Sequence, residues 1–148
     1  MADLRELYQQ VILDHNRRPR NFRALDRPDH QAEGHNPLCG DRISLGLRIV
    51  DGVVAEIGIQ GAGCAISTAS GSLLTEAVLG KSLLEVQALI AAFRAMLTGA
   101  GPPDQPDLGK LLALQGVRDY PVRVKCATLA WHTLAAAVGG SREPVTTE

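Results

Sequence analysis

The chain has 148 residues and a mass of 15.7 kDa, with 45% hydrophobic and 21% charged residues, which suits one compact domain and leaves too little for two independent cores. Its 15 Lys plus Arg stand against 16 Asp plus Glu for a formal net charge of -1, and aromatics make up 3%, so neither a phosphate-gripping surface nor a base-stacking platform is expected. No apolar run approaches about 18 residues, and the N-terminal pattern is acidic and amphipathic, so neither a membrane span nor a secretory signal is expected. Three cysteines cannot all pair within the chain; in a reducing cytoplasm, the expected location, they stay free or bind metal.

Helical spacing appears at once, with Leu4, Leu7, Tyr8 and Val11 on one face and Asp3 and Glu6 placed as a capping box. This helix is expected to run to about Asp14 and to stop before Pro19, which cannot continue the hydrogen-bond ladder. Residues 17–35 read as a polar loop with room for one short strand. Ile43, Leu45, Leu47 and Ile49 then alternate with Ser44, Gly46 and Arg48, the period of a strand with one buried face. Asp51-Gly52 supplies a two-residue hairpin turn, and the partner strand is expected over Val53 to Gln60. A helix of small and apolar residues follows from Cys64 or Ala65 to Val78. A third begins after Ser82, capped by Ser82 and Glu85, with Leu83, Val86, Ile90, Phe93 and Leu97 toward the core. Thr98 to Pro106 is linker-like but too short to separate domains. A short helix near Leu108 to Leu114 and a last one over about Val122 to Val138, with Pro121 in its first turn, complete the pattern. The expectation is an α+β domain spanning residues 1–148, in which helices cover one face of a small antiparallel sheet of about three strands and residues 139–148 form a flexible tail.

Each cysteine has an unremarkable structural account when taken singly. Cys39 lies in the turn Asn36-Pro37-Leu38-Cys39-Gly40-Asp41, where Asp41 can simply bond its own backbone. Cys64 follows Gly61-Ala62-Gly63 at a strand-to-helix junction, a setting that serves close packing as well as it serves an anionic sulfur at a helix N-terminus. Cys126 sits on a helical face with Val122, Leu129 and Thr133, where a cysteine is commonly core. The set says more than its members. The hairpin brings Gly61 to Cys64 beside Cys39, and Cys39, Asp41, Cys64 and Cys126 together supply the four donors that tetrahedral zinc takes. Three thiolates and a carboxylate carry -4 against +2 for the metal, an excess that Arg123 and Lys125 can offset. With no Cys-x-x-Cys pair and one hard oxygen ligand, the set differs from a structural zinc finger and suits ligand exchange during function.

These residues resemble the U-type iron-sulfur cluster assembly proteins, the family of SufU, IscU and the N-terminal domain of NifU. The resemblance runs to about Val138. It rests on Tyr8, Ile12, Asp14, His15 and Pro19-Arg20-Asn21, on Asn36 to Asp41, on Gly61-Ala62-Gly63-Cys64-Ala65-Ile66-Ser67, and on Arg123 to Trp131. Two departures from the IscU pattern look like SufU: Lys125 stands where a histidine usually precedes the third cysteine, and residues 98–116 form an insertion before the last helix. The resemblance implies a zinc-dependent sulfur acceptor for a pyridoxal-phosphate cysteine desulfurase of the SufS type, feeding downstream iron-sulfur assembly proteins, rather than a stand-alone enzyme. It implies zinc held by Cys39, Asp41, Cys64 and Cys126. It further implies that Cys39 accepts persulfide sulfur once a desulfurase side chain takes over its place on zinc, with Arg123 beside the site. The alternatives are a scaffold on which an iron-sulfur cluster is built, a purely structural zinc module, and, remotely, a hydrolase using Cys64 with a histidine base.

The arginines at 17, 18, 20, 23 and 27 can meet an acidic partner but equally form a solvated loop. His15 is expected to complete a helix dipole. Trp131 and Leu134 are expected in the core, and His30, His35 and His132 show no ligand spacing.

Overall fold

The alternation read over residues 43–49 forms the central strand of an antiparallel sheet. The computed structural model describes residues 4–37, 40–98, 108–139 and 145–146. Strand β2 (Asp41–Val50) pairs on one side with β1 (His30–Asn36) and on the other with β3 (Val53–Ala62), both antiparallel. Ile43, Leu45 and Leu47 are buried while Arg42 and Ser44 are exposed. The hairpin turns at Asp51 and Gly52, whose φ values of 54° and 76° are both positive, as this two-residue turn requires. A register shift between Arg48 and Ile49 ends the strict alternation before the turn. The polar loop does hold a strand, β1. A two-residue strand from the expected tail, β4 (Val145–Thr146), pairs parallel with Gly34 and His35 at the sheet edge.

Helices α1 (Leu4–Arg17), α2 (Ala65–Val78), α3 (Leu83–Thr98) and α4 (Pro121–Gly139), with the 3-10 segment Gly109–Asp119, pack around this sheet. α4 lies on β1 and β2, α2 lies on β3, and α1 covers α2 and the 3-10 segment. The fold class is therefore the expected α+β. The capping box before α3 forms, with Glu85 N–H donating to Ser82 Oγ and Ser82 N–H to Glu85 Oε1, each at 3.2 Å. Val86, Ile90, Phe93 and Leu97 are buried, and Trp131 stacks on Phe93 with ring centroids 4.4 Å apart and Nε1 on Ser70 Oγ at 3.2 Å. The short helix expected near Leu108 to Leu114 extends to Asp119 as a 3-10 helix. Of its buried residues, Leu111, Leu114 and Val117, following buried Leu108, recur every third position, so a three-residue turn puts them on one stripe, with Ala113 buried beside it.

α1 runs one turn beyond Asp14, and its end is clamped to α2. Arg20 N–H donates to Ser72 Oγ at 2.8 Å, Asn21 Nδ2 donates to Thr75 Oγ1 at 3.0 Å, and the Arg20 guanidinium pairs with Asp14 at 2.6 Å. His15, expected to complete the helix dipole, does lie in the last turn of α1 but is buried there. It is 1% exposed, with Nδ1 2.7 Å from Ser72 Oγ and Nε2 3.3 Å from Glu76 Oε1. Burial, reinforced by the Arg20 charge, pushes its pKa below the usual histidine range, although Glu76 and Asp14 pull the other way. Nε2 faces the Glu76 carboxylate, an acceptor, so a neutral His15 carries its proton there and Nδ1 accepts the Ser72 hydroxyl, whose oxygen also accepts the Arg20 amide.

A candidate metal centre between the sheet and two helices

Three elements deliver Asp41, Cys64 and Cys126 to one point, where one ligand atom from each lies within 4.8 Å of the others. Asp41 opens β2 opposite Asn36 and is fully buried. Cys64 is the N-cap of α2, with extended backbone (φ -73°, ψ 169°), and its Sγ accepts the Ser67 amide at 3.4 Å. A sulfur in that place faces the first turn's unpaired N–H groups, which favour an anion. Cys126, one turn into α4, is buried against β1. The other two ligands expected with it thus meet it as the sequence reading required. Cys39 lies outside the described residues; Gly40, with φ 74°, donates its N–H to the Asn36 carbonyl at 2.8 Å on the near side of Asp41.

The Asp41 carboxylate has two unlike oxygens. Oδ1 accepts the Cys64 backbone N–H at 2.9 Å, whereas Oδ2 is buried with no hydrogen-bond partner among the described residues. An orphaned buried carboxylate oxygen is costly in a folded protein unless something positive meets it. One such oxygen beside two sulfurs fits a divalent metal, and the donor set S, S, O suits zinc. Gly63 makes this arrangement possible. A Cβ there would collide with Asp41 Oδ1 and lie 3.0 Å from Cγ, so a side chain at 63 would drive the carboxylate away.

Two of the described neighbours of the Cys126 sulfur are of opposite kind. As a thiol it donates to the Val122 carbonyl at 3.7 Å; as a thiolate it can only accept, and the Asn36 Nδ2–H group lies 3.8 Å away. Asn36, a residue the sequence reading treated only as part of a turn, is fully buried at the end of β1. Val122, at the start of α4, is 55% exposed, and Tyr120, just before the helix, is 65% exposed. Arg123 is exposed and Lys125 half-buried, on the same turn as the site. His30 Nδ1 is bonded to the Ala137 carbonyl at 3.0 Å, at the opposite end of β1 from Asn36. His132 is half-buried, its pKa lowered by burial and by Arg94.

Residues 7–127 match the model of the NifU-like N-terminal domain. The chain is 41% identical over 93% of its length to the iron-sulfur cluster assembly scaffold protein IscU of Streptococcus pyogenes, covering 86% of that protein. It is likewise 41% identical over 93% of its length to the zinc-dependent sulfurtransferase SufU of Bacillus subtilis, covering 92% of that protein. Among solved structures, that of a scaffold protein for the SUF system from Fervidobacterium islandicum superposes with a TM-score of 0.81 at 28% identity, over 87% of this chain and 94% of the other. No helix among the described residues is long and apolar enough to cross a membrane.

Proposed function

The chain belongs to the IscU/NifU-like family of iron-sulfur cluster assembly proteins, and on that premise we propose that it is a zinc-dependent sulfur acceptor that stimulates a pyridoxal-phosphate cysteine desulfurase of the SufS type. The observation that carries the proposal is the meeting of Asp41, Cys64 and Cys126 around a partnerless carboxylate oxygen. Cys39, two residues before Asp41, completes a four-ligand set in this reading. Zinc, when bound, would keep the cysteine sulfurs anionic and shielded from adventitious oxidation.

The residues themselves divide the work. The Cys64 amide fixes Asp41 through Oδ1 and leaves Oδ2 for the metal. With Asp41 held in place, the position a desulfurase side chain would take over is that of Cys39, which makes its release depend on the partner. Cys39 is the acceptor. Its thiolate attacks the outer sulfur of the desulfurase persulfide, a new S–S bond forms on Cys39, the old S–S bond breaks, and the desulfurase cysteine leaves as thiolate. Arg123 supplies a cation at the rim toward the incoming persulfide, and exposed Tyr120 and Val122 give the partner an apolar landing beside it. Sulfur then passes to downstream assembly proteins in the cytoplasm. In this reading residues 1–148 form a single domain and 98–116 is an insertion that marks the sulfur-accepting branch.

Desulfurase turnover with and without the protein tests this. Wild type should stimulate turnover and Cys39→Ser should not; equal stimulation by both would remove Cys39 from the acceptor role. The second reading, a scaffold carrying a cluster as cargo, is supported by the equal identity of the Streptococcus pyogenes relative. Anaerobic purification separates the two: a stoichiometric visible cluster that passes to an apo-protein favours the scaffold.

A further inference from the structure

We propose that Asn36 is a positioning residue for the metal centre, and that its side-chain amide donates an N–H···S hydrogen bond to the metal-bound sulfur of Cys126. The inference rests on the metal-binding reading above and adds a residue to it.

β1 (HQAEGHN) is half-exposed along most of its length, and its two buried positions are Gly34 and Asn36. Gly34 is buried because α4 comes so close that a Cβ there would strike Thr133 Oγ1 and lie 3.0 Å from Leu129 Cδ1. The same close approach, two residues further along the strand, brings Asn36 Nδ2 to 3.8 Å from Cys126 Sγ. Asn36 is 0% exposed, as is Cys126, so water cannot substitute for either group. A buried amide N–H left without an acceptor costs about 1–3 kcal/mol, so loss of the Cys126 sulfur as its acceptor matters.

The contact has a chemical use. Each of the two described sulfurs meets a nitrogen donor, Cys64 from the Ser67 amide and Cys126 from Asn36. With one metal and a carboxylate in the set, the sulfurs carry excess negative charge, and N–H donors draw some of it off. The Ser67 donor is backbone and comes with the helix N-terminus, whereas Asn36 reaches Cys126 from a side chain on the neighbouring strand. Donors of this kind stabilise the sulfur lone pairs and fix the orientation of the ligand. Their loss typically costs ten- to a hundredfold in metal affinity.

Cobalt provides the readout, because sulfur-to-cobalt charge-transfer absorption reports the energy of the sulfur lone pairs directly. Wild type, Asn36→Ala and the near-isosteric Asn36→Asp are loaded with Co²⁺ alone, and zinc affinity is measured separately by competition with a chromophoric chelator. Both variants should bind zinc at least tenfold more weakly. Their charge-transfer band should move to lower energy, because the sulfur has lost its donor; Asn36→Asp, which sets a carboxylate against the thiolate, should lose more affinity than Asn36→Ala. If Asn36→Ala fails to fold by circular dichroism, Asn36→Asp, which keeps the shape, carries the test. In a Cys126→Ser background, where the recipient sulfur is gone, Asn36→Ala should no longer move the band. An unshifted band with zinc affinity within twofold of wild type would overturn the inference while leaving the metal site intact. Absence of any thiolate-cobalt band in the wild type would overturn the metal site and the inference with it.

Discussion

Replacing Gly63 by alanine should damage metal binding through one atom. The new Cβ would overlap Asp41 Oδ1 and stand 3.0 Å from its Cγ and 3.2 Å from its Cβ, so the carboxylate has to turn or retreat. Gly63 is exposed and is not among the glycines with positive φ, so its backbone accepts alanine without strain. The damage is therefore steric and confined to Asp41. Two interactions go together: the 2.9 Å hydrogen bond from the Cys64 amide and the placement of Oδ2 beside the two sulfurs. Loss of a group that orients a ligand costs about ten- to a hundredfold in affinity, or roughly 1.4–2.7 kcal/mol. Zinc competition against a chromophoric chelator measures it, with thermal melting of the metal-free protein as the control for folding. The double variant with Asp41→Ala is the sharper arm. Once the carboxylate is gone the new methyl meets only the Cβ at 3.2 Å, a contact relieved by a few tenths of an ångström, so Gly63→Ala should cost little further. Wild-type zinc affinity in Gly63→Ala, or losses that simply add in the double variant, would refute the reasoning.

Other consequences are as direct. Gly34→Ala drives a methyl into Thr133 Oγ1 and should destabilise the fold by about 1–3 kcal/mol in urea unfolding through overpacking between β1 and α4; unchanged stability would mean that the two do not approach so closely. Buried His15 prefers its neutral form when folded, so the unfolded chain takes up its proton at higher pH than the native one does. Stability should therefore be complete above about pH 6.5 and fall as the pH drops below it, by at most about 1.4 kcal/mol per pH unit for each such proton. His132, shifted the same way, adds to the slope. His15→Gln should flatten that part of the profile in urea melts recorded from pH 7.5 to 5, and an unchanged slope would remove His15 as a contributor. Ser70→Ala takes the acceptor from Trp131 Nε1 in a fully buried setting and should cost about 1–3 kcal/mol, read by the same melts; a loss within 0.5 kcal/mol, roughly the level of a neutral surface change, would contradict it.

The hairpin and the cap of α3 were legible in the sequence because local chemistry specifies them. Period-two alternation sets β2, Asp51-Gly52 sets the turn, and Ser82 with Glu85 sets the start of α3. Residue type and context singled out Cys39, Asp41, Cys64 and Cys126 alike; the fold brings Asp41, Cys64 and Cys126 together, and Cys39 lies outside the described residues. What was not legible depends on partners distant in sequence. β1 has no run of branched or aromatic residues, and its inward positions are a glycine and an asparagine whose burial comes from α4. His15 looked like a surface helix end until Ser72, 57 positions away, and Glu76 closed over it. The three-residue spacing of Leu108, Leu111, Leu114 and Val117 did carry a signal, one that matches a 3-10 turn better than an α-helical one. Asn36 was hidden because asparagine before proline is an ordinary turn residue, and nothing local indicates that Cys126 lies 90 positions ahead of it.

X-ray absorption at the zinc edge of the gently isolated protein tests the central claim most directly. The account predicts one zinc per chain with three sulfur neighbours at about 2.3 Å and one oxygen at about 2.0 Å, falling to two sulfurs in Cys39→Ser. A protein that holds no zinc under these conditions, or whose zinc has no sulfur neighbours, would contradict it.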